Sequence, residues 1–577
     1  MAGLLYRLGA YCCRRRRWVA GLWAGALLLL VSIAVLGGGR TADSFSVPGT
    51  ESQRALEELR EDLPAAAGAG LMLVVRAPAG ETLDSAGQKA AVGEVAARAG
   101  ALPGVVEVED PYASGRVNVG RTVGIVGVRY AHAVHELTDD ERAAFGALGG
   151  TGTGGLGVVA GGLPHEERLG AAQFAGVLAA VGVLAVFGSL VAAGVVLVSA
   201  AAGAGVGLAS VFAVSAVVEV SAVAPVLAVM LGLAVGLCYA LLVGARHRSH
   251  LLAGLPVGEA AARAVSRAGA GVVVAGAIVV VALGGLAVVR VPFLTVIGLA
   301  AAGTVLAAVA ASLTLLPALL GFAGRRVLER RGVHALAGER RRGGVRWARW
   351  VVRFRIPLLL ILVLGLTALT APARSLRLAL PDNGTAPPGS QQRIAYDEIT
   401  AAFGAGGNGP LLVVVRDVRG DAVSALAARV TAAVRRLADV ASVVPGDATA
   451  AGTTRVLVVT PLTGPGSAET AALVGRIRHA VEPLTGGTGT VAVTGTTAVG
   501  VDVSRKMTAA LPEYLAVVLG VSFLLLMLAV RSLLVPLKAA AGFLLTMGAT
   551  LGLTAAVFQD GRASGLVGLD RPGPLTS

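Results

Sequence analysis

The sequence predicts a polytopic α-helical membrane protein of about nine transmembrane helices, bearing two extracytoplasmic α/β ferredoxin-like domains and built as an internal tandem repeat. Three observations predict it. Only 15% of the 577 residues are charged and 55% are hydrophobic, at a mean hydropathy of +0.76, whereas a soluble domain carries about 25% charged residues. Uncharged runs of membrane-spanning length alternate with two stretches whose apolar residues follow strand and helix periods. Those two stretches also match each other: LMLVVRAP at 71–78 returns as LLVVVRDV at 411–418, a spacing of 340.

The net charge of +14 is almost wholly arginine, with Lys89, Lys506 and Lys538 the three lysines. The arginines cluster beside apolar runs, which fits membrane topology and argues against nucleic acid as a partner. Cys12, Cys13 and Cys238 give neither a disulfide framework nor a zinc spacing. His132, His135 and His165 are too scattered for a metal site, and no cofactor is expected.

Taken in order, 1–17 ends in Arg14 to Arg17 and reads as a cytoplasmic N-terminus. The uncharged 18–39 follows as a first span, retained rather than cleaved. Residues 40–168 read as the first extracytoplasmic domain. Strands are expected at 71–77, 105–110, 122–130 and 156–160, with helices at 84–100 and 138–148, the βαββαβ order of a split βαβ module. Residues 169–324 then hold spans two to six. No charge lies between Arg168 and Glu219, room for two spans with a turn at Phe187-Gly188-Ser189. The fourth span is expected at 220–245, the fifth at 268–289 and the sixth at 291–324. The 325–355 loop carries eleven Arg against Glu329 and Glu339, so the positive-inside rule places it in the cytoplasm and both α/β domains outside.

The pattern then restarts. A seventh span at 356–373 leads into a second domain at 374–512, with strands at 411–415, 440–444, 455–460 and 490–494 and helices at 421–438 and 467–483. Spans eight and nine occupy 513–559, joined by RSLLVPLK, whose Arg531 and Lys538 place it inside; FGSL from Phe187 returns as VRSL from Val530. Residues 560–577 read as an outer tail. A complete second copy would put spans ten to twelve past Ser577, so the sequence reads as a C-terminally truncated repeat.

The site is sought where a polar group sits in mid-span. In MLGLAVGLCYALLVGARHRSH, 230–250, Gly232, Gly236 and Gly244 permit close helix approach. Cys238 and Tyr239 lie near the middle, and Arg246, His247, Arg248 and His250 form a cytoplasmic-looking cluster. The stretch resembles the fourth transmembrane helix of the MMPL (mycobacterial membrane protein large) transporters of the resistance-nodulation-division superfamily, roughly GLGxGxDYALFxxSRxREE. Gly232, Gly236, Tyr239, Ala240, Leu241, Arg246 and Arg248 match; Cys238 stands where the family has its proton-carrying Asp. SRAGAGVVVAGAIVVVALGGL (266–286), FLTVIGLAAAGTVLAAVAASLTLLPALLGFAGRRV (293–327) and RSLLVPLKA (531–539) resemble the family's fifth helix, sixth helix and eighth-to-ninth link.

The resemblance implies a proton-driven exporter of lipidic or other hydrophobic compounds in the bacterial plasma membrane, with the outer "porter" domains as passage and a proton relay on helices four and ten. An Asp buried in lipid is costly when charged, so it binds and releases protons within the working pH range. On this reading Cys238 and Tyr239 are a degenerate relay position. Gly232, Gly236 and Ala275 pack the helices around it, with Ala275 in place of the family's small hydroxyl, and Glu219 is a candidate channel mouth. The bland reading makes Cys238 a small polarizable core residue, Glu219 a solvated turn residue, and Asp502, Arg505 and Glu513 an interfacial ion cluster. Expected partners are the bilayer, a lipidic or hydrophobic substrate and protons, with oligomerisation open. The alternative function is a non-pumping scaffold or lipid-binding subunit, or an inactive fragment. No nucleophile elbow or Ser-His-Asp arrangement supports an enzyme, and GTGTGGLG (150–157) has no following Lys-Ser/Thr for a phosphate loop.

Overall fold

The computed structural model describes residues 2–37, 49–63, 70–131, 137–163, 189–216, 218, 220–221, 223–328, 345–376, 378–379, 382–417, 420–449, 451–485, 489–562 and 575–576. The first copy comprises α1 (Ala2–Arg14), α2 (Arg16–Leu36), α3 (Glu51–Asp62), β1 (Gly70–Arg76), α4 (Ala86–Gly100), β2 (Val105–Glu109), β3 (Val123–Tyr130), α5 (Asp139–Gly146) and β4 (Gly157–Gly161). Then come α6 (Leu190–Val214), α7 (Val223–Leu252), α8 (Val257–Gly284), α9 (Pro292–Leu313) and α10 (Leu315–Ala323). The second copy runs α11 (Arg355–Thr370), α12 (Gln391–Phe403), β5 (Leu411–Asp417), α13 (Gly420–Val434), β6 (Val440–Ala448), β7 (Thr454–Pro461), α14 (Ala468–Val481), β8 (Gly489–Thr494), α15 (Thr496–Val530) and α16 (Leu534–Thr554).

The chain divides into a helical unit (Met1–Phe45, Arg168–Arg374, Ala509–Leu553) and an α/β unit (Ser46–Glu167, Ser375–Thr508, Thr554–Ser577). In the helical unit, α6, α7 and α9 meet on small residues. A Cβ built on Gly232 would lie 2.6 Å from Cγ2 of Thr304, and one on Gly203 would lie 2.9 Å from the Ala308 backbone. Where lipid gives no hydrophobic drive between helices, such close backbone approach supplies the association energy. Among the described residues, eight helices are long and apolar enough to cross a membrane. One expectation changes, and others fall outside the described residues. The expected second span, 169–188, lies outside the described residues, as do His132, His135, His165 and most of the Arg-rich loop. The sixth span breaks at Thr314 (φ −121°, ψ −57°) between α9 and α10, because Pro317 cannot donate to the carbonyl one turn back.

The α/β unit holds two antiparallel sheets of matching order, β2-β3-β1-β4 and β6-β7-β5-β8, the first extended at its edge by Gly150–Thr151. Each has the ferredoxin-like arrangement. Leu71, Leu73 and Val75 of β1 face a core with Val92, Val95, Tyr130 and Phe145, while Leu411, Val413 and Val415 of β5 face Val430, Leu473 and Ile477.

The opposite faces are covered by exchange. α3, from the first copy, lays Leu59 on Val414 and Val456 of the second sheet. α12, from the second copy, lays Ala395 and Ile399 on Val74, Val123 and Ile125 of the first. Leu59 and Ile399 are each 1% exposed, a burial that stabilises by about 1.5–3 kcal/mol per side chain. Neither helix is among the sequence expectations. Ser390 caps α12 by accepting from the Arg393 N–H, and Ser85 and Ser467 cap α4 and α14 in the same manner.

Candidate functional site

Gly232 and Gly236 are buried on α7, the first against Thr304 and Ala204, the second with its would-be Cβ 3.3 Å from the Ala200 backbone. They set the rotation of the helix, and with it the direction of the two residues that follow. Tyr239 is half-buried against an apolar cluster that includes Val272, Leu313 and Leu316. Cys238 is exposed, on a face it shares at helical spacing with Met230, Ala234 and Leu242. The reading of Cys238 as a core filler is thereby corrected.

Ala275 lies off the buried side of its helix. It is exposed, and the buried line of α8 runs through Val265, Ala268, Gly269, Val272 and Gly276. A Cβ on Gly276 would lie 3.8 Å from the Tyr239 ring, so Gly276 takes the packing place one residue on. His247, read as part of a cytoplasmic-looking cluster with Arg246, Arg248 and His250, is 0% exposed. Glu219 lies outside the described residues. Helices α6, α7 and α9 contain no Asp or Glu, and the carboxylate of α8, Glu259, sits in its first turn. Cys238 and Tyr239 thus offer a thiol on an open face beside a phenol against the core, with no carboxylate between them.

A second constellation ties the two α/β modules together. The spacing of 340 that relates β1 to β5 also relates Glu58 to Glu398 and Arg76 to Arg416. The structure pairs them crosswise: Arg76 with Glu398 at 2.6 Å, and Arg416 with Glu58. Arg416 also reaches Asp62 at 2.8 Å, whose carboxylate accepts from the Thr454 hydroxyl at 2.7 Å. Arg129 joins Asp447 at 2.7 Å. The most buried brace is at Asp502, 8% exposed. Its two oxygens accept from Arg478 at 2.7 and 2.8 Å, and the Ser52 hydroxyl donates to it at 2.6 Å. Arg478 also meets Glu51 at 3.0 Å.

Asp502, read with Arg505 and Glu513 as an interfacial ion cluster, lies on α15, which begins at Thr496, and within the α/β unit. Burial pushes Glu398 above the usual carboxylate range against the pull of Arg76. Burial likewise raises Asp382, in spite of the Gly384 N–H, Tyr396 and Arg393. Repeat arithmetic applied to Glu58 and Glu398 could have found the crosswise pairs; the signal was the same offset that aligned the strands.

Spans of this number, two ferredoxin-like modules and a tandem repeat define a polytopic membrane protein with porter-like domains. Comparison with known proteins supports the same class: the MMPL family matches residues 44–358 and 385–568. The chain belongs to the MMPL family. It is 34% identical over 583 residues to the membrane protein YdfJ of Bacillus subtilis, covering 100% of this chain and 80% of the relative. The putative membrane protein SCO6666 of Streptomyces coelicolor is 32% identical over 99% of the chain and 80% of its own length. Resemblance to MmpL11 is partial. The Mycobacterium tuberculosis protein, named a heme uptake protein, is 29% identical over 58% of this chain and 35% of its own. That of Mycolicibacterium smegmatis, named a mycolic acid-containing lipids exporter, is 26% identical over 57% and 35%.

Proposed function

We propose that this MMPL-family transporter moves lipidic or other hydrophobic molecules outward across the bacterial plasma membrane, its N-terminus cytoplasmic and its two porter-like modules outside. The observation that carries the reading is a family match running through both copies, each with its spans and its α/β module. A lipid exporter among the partial relatives supports the substrate class. In this reading the cross-braced modules form the passage, and Cys238 with Tyr239 occupies the relay position of α7.

Coupling to protons needs a group whose charge changes within the working pH range. A thiol at position 238 in place of a carboxylate favours a second reading: a member that binds or passes lipid without drawing on the gradient. Reconstitution into liposomes with a fluorescent lipid and an imposed pH gradient separates them. A coupled exporter moves lipid faster with the gradient and stops when an ionophore collapses it. An uncoupled one moves lipid equally in both conditions, and Cys238→Asp then introduces gradient dependence. Equal lipid movement in liposomes with and without the protein would end both.

A further inference from the structure

The geometry points to a binding site for an anionic phospholipid at the corner between α1 and α2, with the headgroup phosphate held by Arg14 and Arg16. This inference does not rest on the transport reading. Helix α1 is too short to span a bilayer and is apolar on two sides. Leu5, Gly9 and Cys12 are buried, and Gly9 lies so close to α8 that its would-be Cβ meets Val265 and Ala262 at 3.0 and 3.1 Å. Leu4 and Tyr11 remain 72% and 56% exposed. Such a helix lies along a membrane interface.

The chain turns at Arg15, which is outside helical geometry (φ −95°, ψ 33°), and α2 begins at Arg16. Four consecutive arginines therefore sit where a spanning helix enters. Inside this corner is a cavity of about 490 Å³ lined by Tyr6, Ala10, Arg14, Arg16, Gly258 and Glu259, among others. The Arg16 guanidinium donates to the Gly321 carbonyl and lies 4.9 Å from the Phe322 ring centre, which holds it in place. The carboxylate in the lining, Glu259, is drawn off by Arg263 at 2.6 Å. The first turn of the 28-residue α8 opens here without a side-chain cap, since its N-cap is Pro256. Its free N–H groups add to the positive potential.

A second observation chooses a lipid over a free phosphate. The next residue, Arg17, opens another groove of about 490 Å³ with Trp18, Gly21 and Leu22. That groove lies on α2, a span with no buried residue, so in a bilayer it faces acyl chains. Trp beside Arg is the pairing favoured at headgroup level. A basic cavity for a phosphate beside an apolar groove for a chain suits an amphiphile carrying both.

Native mass spectrometry of the full chain, released from nanodiscs of mixed phosphatidylglycerol and phosphatidylcholine, tests the site. Wild type should retain phosphatidylglycerol, and R14Q/R16Q should retain about 30-fold less, given the pull of two basic side chains at a charged interface. A control at other interfacial arginines, R349Q/R353Q, should leave retention unchanged. Ala10→Trp, which fills the cavity and keeps both charges, should lose the lipid as well, which separates a site from general attraction. Equal retention by wild type and R14Q/R16Q, or equal loss in the control, overturns the proposal. Release of the lipid by inorganic phosphate alone assigns the cavity to the free ion and overturns the lipid.

Discussion

Removing Arg478 should release α3 from the second sheet. In the Arg478→Ala variant both oxygens of Asp502 lose their guanidinium partner, now at 2.7 and 2.8 Å, and only the Ser52 hydroxyl, at 2.6 Å, and the Ser52 N–H, at 3.4 Å, remain. The Asp502 side chain is 9% exposed, so water cannot replace what is lost without opening the structure. Stripping one partner from a buried ion pair costs about 3–5 kcal/mol. The contact with Glu51 adds little, because that side chain is 40% exposed and pairs of this kind are worth about 0–1 kcal/mol. The rupture falls on α3, where Ser52 accepts through its carbonyl from Thr494 and Glu51 accepts from the Val493 N–H. Hydrogen exchange of the full chain in nanodiscs reads this directly: α3 and β8 amides should lose about 150- to 5,000-fold of their protection. Adding Asp502→Asn to Arg478→Ala should restore much of it, since the buried charge is then gone. A loss below about tenfold in the single variant, or no recovery in the double, would refute the account.

Other outcomes follow from the same geometry. Glu398 is raised by burial, so the folded chain holds its proton more tightly than the unfolded chain does; stability rises as pH falls through the interval between the ordinary and raised values and is lost as pH climbs through it. Glu398→Gln should flatten that part of the profile and keep α12 at least as protected at neutral pH; weaker protection of α12 in the variant contradicts this. Gly232→Ala drives a methyl to 2.6 Å from Thr304 Cγ2 and should destabilise the helical unit by about 1–3 kcal/mol. All four tryptophans lie in that unit, so their fluorescence reports its melting, and Thr304→Ser, which removes Cγ2, should recover the loss. No recovery would point to a different clash.

The strands were legible because their chemistry is local. β1 and β5 begin and end within a residue or two of the runs read from the sequence. Those same runs, LMLVV and LLVVV, are apolar on every residue rather than every second one. Continuous apolarity means that both faces are covered, and the sequence reading supplied a cover for one. The second covers, α3 and α12, escaped because a helix such as ESQRALEELRED shows the sheet little more than Ala55 and Leu59, and which sheet it meets depends on contacts hundreds of residues apart. The start of α15 was missed because Pro512 and Glu513 look like a boundary, whereas the helix runs through them. At the relay position the residue types were legible but their directions were not. In a helix of Gly, Ala and Val, the 100° step between Ala275 and Gly276 is invisible until a neighbour is in place.

The exchange of α3 and α12 has a consequence for synthesis. Val74, Val123 and Ile125 leave the ribosome about 270 to 325 residues before Ala395 and Ile399, which cover them. At elongation rates of about 5–20 residues per second that is roughly 15–65 s in which a finished sheet shows a bare greasy face. The early module must wait, its face uncovered, until its sibling's helix arrives to close it.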